Sequence, residues 1–134
     1  MKKTLTVALS LSFVALGVQA QSSDTLKKIK DSGSVTMGVR ESSGALSFTL
    51  GDGKFAGYHI EICEKVIADV RRQLGMSSLV VKYQPVTSQN RIPLVQNGTV
   101  DIECGSTTNN AERRRQVAFS NTIFIIGTRL MTKK

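Results

Sequence analysis

Three short strand-like runs constrain this chain more than anything else in it. "SVTMGVR", "SLVVKYQPV" and "TVDIE" are separated by stretches of helical periodicity. The first alternates, and as a set the strands are close to continuously apolar. Strands buried on both faces, alternating with helices, point to an α/β domain with a mainly parallel sheet flanked by helices.

The intervening stretches supply the punctuation. "SSDTLKKIKDSG" reads as a short helix, with Asp24 as cap, Leu26 and Ile29 on one face and Gly33 as stop. "ESSGALSFTLGDGKFAG" reads as loop around a small hairpin that turns at Gly51–Gly53. "YHIEICEKVIADVRRQLG" is the longest helix: Ile60, Cys63, Val66, Ile67, Val70 and Leu74 follow three-four spacing, and Gly75 ends it. "SQNRIPLVQNG" predicts a helix with Ser88 at its N-cap, and "NNAERRRQVAF" a helical turn capped by Asn109 or Asn110. "FSNTIFIIGTRLMTKK" begins as a further, almost unbroken apolar strand.

Open parallel sheets bind ligands beyond the carboxyl ends of their strands. Arg40 ends the first strand, Ser88 and Arg91 follow the second, and Ser106, Thr108 and Arg113 follow the third. These polar groups therefore fall on one edge. Arginine presents a planar fork that pairs with carboxylates through two parallel bonds. Several on one edge suit a ligand with more than one carboxylate. Taken singly, Ser88 and Asn109 read first as helix caps, Arg114 and Arg115 as solvated charges, and His59 as a surface residue. The co-location carries the reading.

Other chemistries find little support. The chain has no GxSxG elbow, HExxH, P-loop or CxxC, and a single His. Asp101 and Glu103 sit in or beside a core strand and do not read as a paired-carboxylate site, so no enzyme is expected. Net charge is +8, but the one dense basic run, "ERRR", has no interleaved aromatic, which argues against nucleic acid.

The N-terminus sets the compartment. "MKK", the apolar "TLTVALSLSFVALG" and the small residues of "VQA" form a secretory signal peptide over residues 1–20, cleaved after Ala20. Its apolar run is shorter than the roughly twenty residues of a membrane span. Residues 21–134 are then the exported domain, not itself embedded in a membrane, with +6 once Lys2 and Lys3 leave. Export permits a disulfide between Cys63 and Cys104, while the plainer reading is two buried thiols, or a bond from Cys104 to another molecule.

"GVRESS", "GYHIEIC", "TSQNRIPLVQNGTVDIECGSTTNNAERR", "FSNTIF" and "GTRLMTKK" resemble bacterial solute-binding protein family 3, in its glutamate/aspartate-binding branch. The resemblance implies the first lobe of a type 2 periplasmic binding protein fold, truncated before the second lobe, so that residues 21–134 are a partial domain. It implies that Arg113, with Ser106 and Thr108, holds the α-carboxylate of an amino acid. Arg40 and Arg91, with Ser88, would hold the side-chain carboxylate. The implied partners are L-glutamate or L-aspartate and the permease subunits of an ABC importer, with no cofactor, in the periplasm. His59 stands where the family usually has an acid, while Glu61 keeps the second acid. The competing reading is an exported remnant or small interaction domain without a ligand.

Overall fold

The computed structural model describes residues 24–127 and 129–133. The signal peptide expected over residues 1–20 lies outside them.

Helix α1 (Thr25–Ser32) opens where the Asp24 carboxylate accepts the Lys27 N–H at 3.1 Å. It closes at Gly33, whose φ of 66° suits a residue without Cβ and whose N–H reaches the Ile29 carbonyl. Ile29 is buried, whereas Leu26, expected on the same face, stays exposed. Strand β1 (Ser34–Val39) follows and is the spine of the molecule, with Val35, Met37 and Val39 all but fully buried. β2 (Phe48–Gly51) and β3 (Lys54–Ala56) form the expected hairpin. It turns through Asp52 and Gly53, both at positive φ, as a tight two-residue connection requires.

Helix α2 (Tyr58–Gln73) lays Ile60, Cys63 and Ile67 against β1 and leaves Val66 exposed. Its end is a Schellman closure: Met76 N–H bonds the Arg71 carbonyl and Gly75 N–H the Arg72 carbonyl, with Gly75 at φ 63°. β4 (Val80–Pro85), α3 (Arg91–Gln96) and β5 (Ile102–Glu103) complete the unit, followed by a 3-10 turn at Arg113–Arg115. The sheet order is β4-β1-β5, all parallel, with Ser34 opposite Val80 and Met37 opposite Ile102. The mainly parallel α/β architecture thus stands as expected.

Two long-range ties fix the layers. The Asp101 carboxylate accepts the Thr36 N–H at 2.8 Å and Lys28 Nζ at 2.7 Å, linking α1 to the start of the sheet. Cys63 and Cys104 form a disulfide across Cα atoms 6.3 Å apart, which resolves the alternatives the sequence left open. It joins α2 to the residue that follows β5, at the carboxyl end of the sheet.

Two expectations need correction. The apolar run after Phe119 forms no strand among the described residues, and Ile125 and Ile126 are 84 % and 71 % exposed. A strand is satisfied only where its N–H and C=O groups meet a neighbour, and no described strand lies beside this run. Its start is held where Tyr58 donates to the Ile123 carbonyl at 3.3 Å and the Tyr58 and His59 rings lie beside Phe124. In addition, Ser88 is not the cap of α3. The helix starts three residues later, after Asn90. The Thr87 hydroxyl accepts N–H bonds from Gln89 and Asn90, and Asn90 Oδ1 accepts the Thr87 N–H in return. Thr87, rather than Ser88, offers the oxygen that this turn needs.

Candidate anion site at the strand ends

The site grows out of β1. Past Val39 the backbone of Arg40 is clamped by Ser47, which is fully buried: its Oγ accepts the Arg40 N–H and donates to the Arg40 carbonyl, both at 2.9 Å. That leaves the guanidinium to project over the sheet end. Nη1 donates to the Val86 carbonyl at 2.7 Å and Nε to Ser43 Oγ at 3.3 Å. Ser43 Oγ in turn lies 3.1 Å from Ser106 Oγ, so the loop after β1 and the loop after β5 are joined through two hydroxyls. Arg40, Val86, Thr87 and Ser88 line a shallow recess open to solvent.

Arg91, the first residue of α3, points inward. It is only 6 % exposed, yet its Nε and Nη1 make no hydrogen bond. The nearest opposite charge is Glu103 at the end of β5, with Oε1 4.0 Å from Nη1 and no hydrogen bond of its own. Burial pushes the Arg91 guanidinium below its ordinary value; Glu103 opposes that shift, while Arg113 and Arg40 add to it. The group remains charged at any ordinary pH. Burial likewise holds the Glu103 carboxyl above the usual carboxylate range, against the pull of the Thr107 hydroxyl, Arg91, His59 and Arg40.

Arg113 belongs to the 3-10 turn, which starts where Asn110 Oδ1 accepts the Arg113 N–H at 2.9 Å. Its Nη1 donates to the Thr108 carbonyl at 3.1 Å, so it reaches back over the loop after β5 as its position implied. Ser106 is half-buried, whereas Thr108 and Ser88 are exposed. The structure therefore gathers Arg40, Arg91, Ser106 and Arg113 about one end of the sheet. It leaves the Ser88 and Thr108 side chains at the rim.

Four participants escaped sequence reasoning. Ser43 bridges Arg40 and Ser106. Gly105 passes so close to the Arg40 side chain and the Glu103 carboxylate that a Cβ there would collide with both. His59, expected at the surface, is half-buried; its Nδ1–H donates to the Gly105 carbonyl and its Nε2 is buried without a partner. Glu103 had a legible signal, since an acid closing an apolar strand must find a cation once buried. Nothing in the sequence pattern alone marked Ser43 or His59.

Among the described residues, the cationic forks at the carboxyl ends of this small parallel sheet have no metal-binding cluster beside them. The fold is that of a type 2 periplasmic binding protein. The match includes domain 1 of TmArgBP from T. maritima, solved as a mutant in its arginine-bound form: TM-score 0.60, 23% identity, 74% of this chain and 71% of that chain covered. Residues 35–134 match the bacterial extracellular solute-binding proteins, family 3, and the chain belongs to that family. The glutamate/aspartate import solute-binding protein of Escherichia coli is 46% identical over 139 residues, covering 100% of this chain and 46% of the relative. The L-glutamate/L-aspartate-binding protein of Pseudomonas aeruginosa is 56% identical over 112 residues, covering 82% and 37%. This chain thus spans less than half the length of these curated relatives. Family and relatives alike are solute-binding proteins. Among the described residues no helix is long and apolar enough to cross a membrane.

Proposed function

We propose that this chain forms the acidic-amino-acid-binding first lobe of a periplasmic receptor for an ABC importer, taking L-glutamate or L-aspartate. The reading has residues 1–20 as an export signal and 21–134 as the partial binding domain. Arg113, Ser106 and Thr108 hold the α-carboxylate, and Arg40, Arg91 and Ser88 the side-chain carboxylate. The membrane permease subunits are the receiving partners. The observation that carries this reading is Arg91: a buried guanidinium with two unmet donor atoms, within the field of two further arginines. Such a group is costly to bury unless an oxygen-bearing anion completes it. The relatives' names supply the class of anion.

One lobe leaves the cleft wet, so charge-assisted bonds worth about 1.5–3 kcal/mol each when buried lose most of their value. Calorimetric titration of the chain is expected to give a dissociation constant of roughly millimolar for L-glutamate and L-aspartate, about −4 kcal/mol. L-glutamine, which lacks the second carboxylate, should bind more weakly. Equal binding of glutamine and glutamate, or heat from neither, would count against the proposal.

A further inference from the structure

We propose that Glu103 is a specificity-determining residue of this site: its buried carboxylate is a resident counter-ion that an incoming carboxylate must outcompete for Arg91. The inference rests on the acidic-ligand reading above and adds to it a residue that does not touch the solute.

The geometry is unlike that of a structural ion pair. Arg91 and Glu103 side chains are 7 % and 13 % exposed, so both have lost most of their water. A pair built for stability recovers that loss through short, often bidentate hydrogen bonds. Here the closest approach is 4.0 Å, and Arg91 Nε, Arg91 Nη1 and Glu103 Oε1 are all unbonded. The carboxylate is near enough to offset charge and too far to consume the donors. Those donors remain free for a ligand.

Glu103 is also faced by basic side chains from three elements. Arg91 faces it from α3, Arg40 from the end of β1 and His59 from the start of α2, with the Thr107 hydroxyl alongside. Gly105 is what lets the Arg40 side chain and the Glu103 carboxylate crowd one stretch of backbone. Three guanidiniums less one carboxylate leave two positive charges, matched to the two carboxylates of an acidic amino acid. A ligand with one carboxylate meets Arg91 already offset, and gains little there. Carrying the ionised Glu103 has a cost, because burial holds its carboxyl above the usual range. The penalty is complete above the raised folded value and disappears as pH falls through that value towards the ordinary one. Acidification should therefore stabilise the empty lobe and free Arg91 together.

Glu103→Gln keeps the shape and removes the charge. The whole chain is titrated with sulfate, L-glutamate and L-glutamine, read at the Arg91 side-chain Nε–H by NMR. Sulfate and L-glutamate are expected to bind on the order of tenfold more tightly in the variant, since one nearby negative charge is gone. L-glutamine should be unchanged, because it does not compete for Arg91. Equal or weaker sulfate binding in Glu103→Gln overturns the proposal. Should that variant not fold, a His59→Gln chain, which lacks the neighbouring imidazole, is titrated with sulfate as pH is lowered through the raised Glu103 value. Affinity should rise several-fold on acidification, and a flat profile has the same negative meaning. Tighter sulfate binding without any L-glutamate binding would keep the counter-ion and remove the acidic amino-acid reading. L-glutamate binding that Glu103→Gln does not tighten would do the reverse.

Discussion

"SVTMGV" and "NTIFIIG" are both apolar enough to be core strands, yet they meet opposite fates. The first, β1, has a parallel neighbour on each side, α2 over it, and three side chains at 2 % exposure or less. The second forms no strand and is largely exposed; among the described residues it meets Tyr58 and His59 at Ile123 and Phe124. Both runs are apolar enough for a core; the difference is partners. Hydrophobic burial and ladder hydrogen bonds are properties of a pair, and a run of apolar residues supplies only half of one. The candidate site sits at the well-partnered end, beside the strand ends, the disulfide and a clamped Arg40.

This contrast can be broken at several depths. Replacing Cys63 and Cys104 together by Ser should have the largest effect. The bond closes 41 residues of chain, for which loop entropy gives about 4 kcal/mol. Urea unfolding with and without reductant measures it, and an unchanged midpoint would mean that α2 and β5 hold together without the bond. Arg91→Met comes next, at about 3 kcal/mol, because it strands the Glu103 carboxylate in a dry site. Denaturation at two pH values checks the cause: the loss should shrink as pH falls and Glu103 takes up a proton.

Asp101→Ala should cost about 2 kcal/mol by leaving the Thr36 N–H unmet inside the sheet and releasing Lys28. Backbone hydrogen exchange at Thr36 should quicken in that variant, and an unaltered rate would show that the bond carries no weight. The smallest effect on stability belongs to the tail. Ile125→Lys with Ile126→Lys should shift the unfolding free energy by no more than about 0.5 kcal/mol, as exposed positions do. The same change should reduce concentration-dependent self-association seen by light scattering, since an unpaired apolar run is an association hazard. A wild-type chain that stays monomeric at every concentration would remove that concern.

How far the sequence could be read follows from the same contrast. Strand–helix order, the caps at Asp24 and Gly75, and the hairpin turn are set by a few neighbouring residues, and each was legible. The common edge of Arg40, Arg91, Ser106 and Arg113 followed from topology, because parallel strands bring their carboxyl ends together. What escaped were contacts between distant side chains: Ser43 with Ser106, His59 with the Gly105 carbonyl, Glu103 with Arg91. Ser88 misled because a hydroxyl ahead of a helix is a good cap, but Thr87 and Asn90, on either side of it, bond each other and take the role. The final strand misled because apolar pattern does not say whether a neighbour exists.

Under the acidic-ligand proposal, Arg40, Arg91 and Arg113, each following a different strand of the sheet, form one site. The most direct test follows the side-chain Nε–H signals of all arginines while L-glutamate is added to the chain. Arg40, Arg91 and Arg113 should shift together along one binding curve, with Arg114 and Arg115 unmoved. Separate curves for the three, or shifts confined to the exposed Arg114 and Arg115, would contradict it.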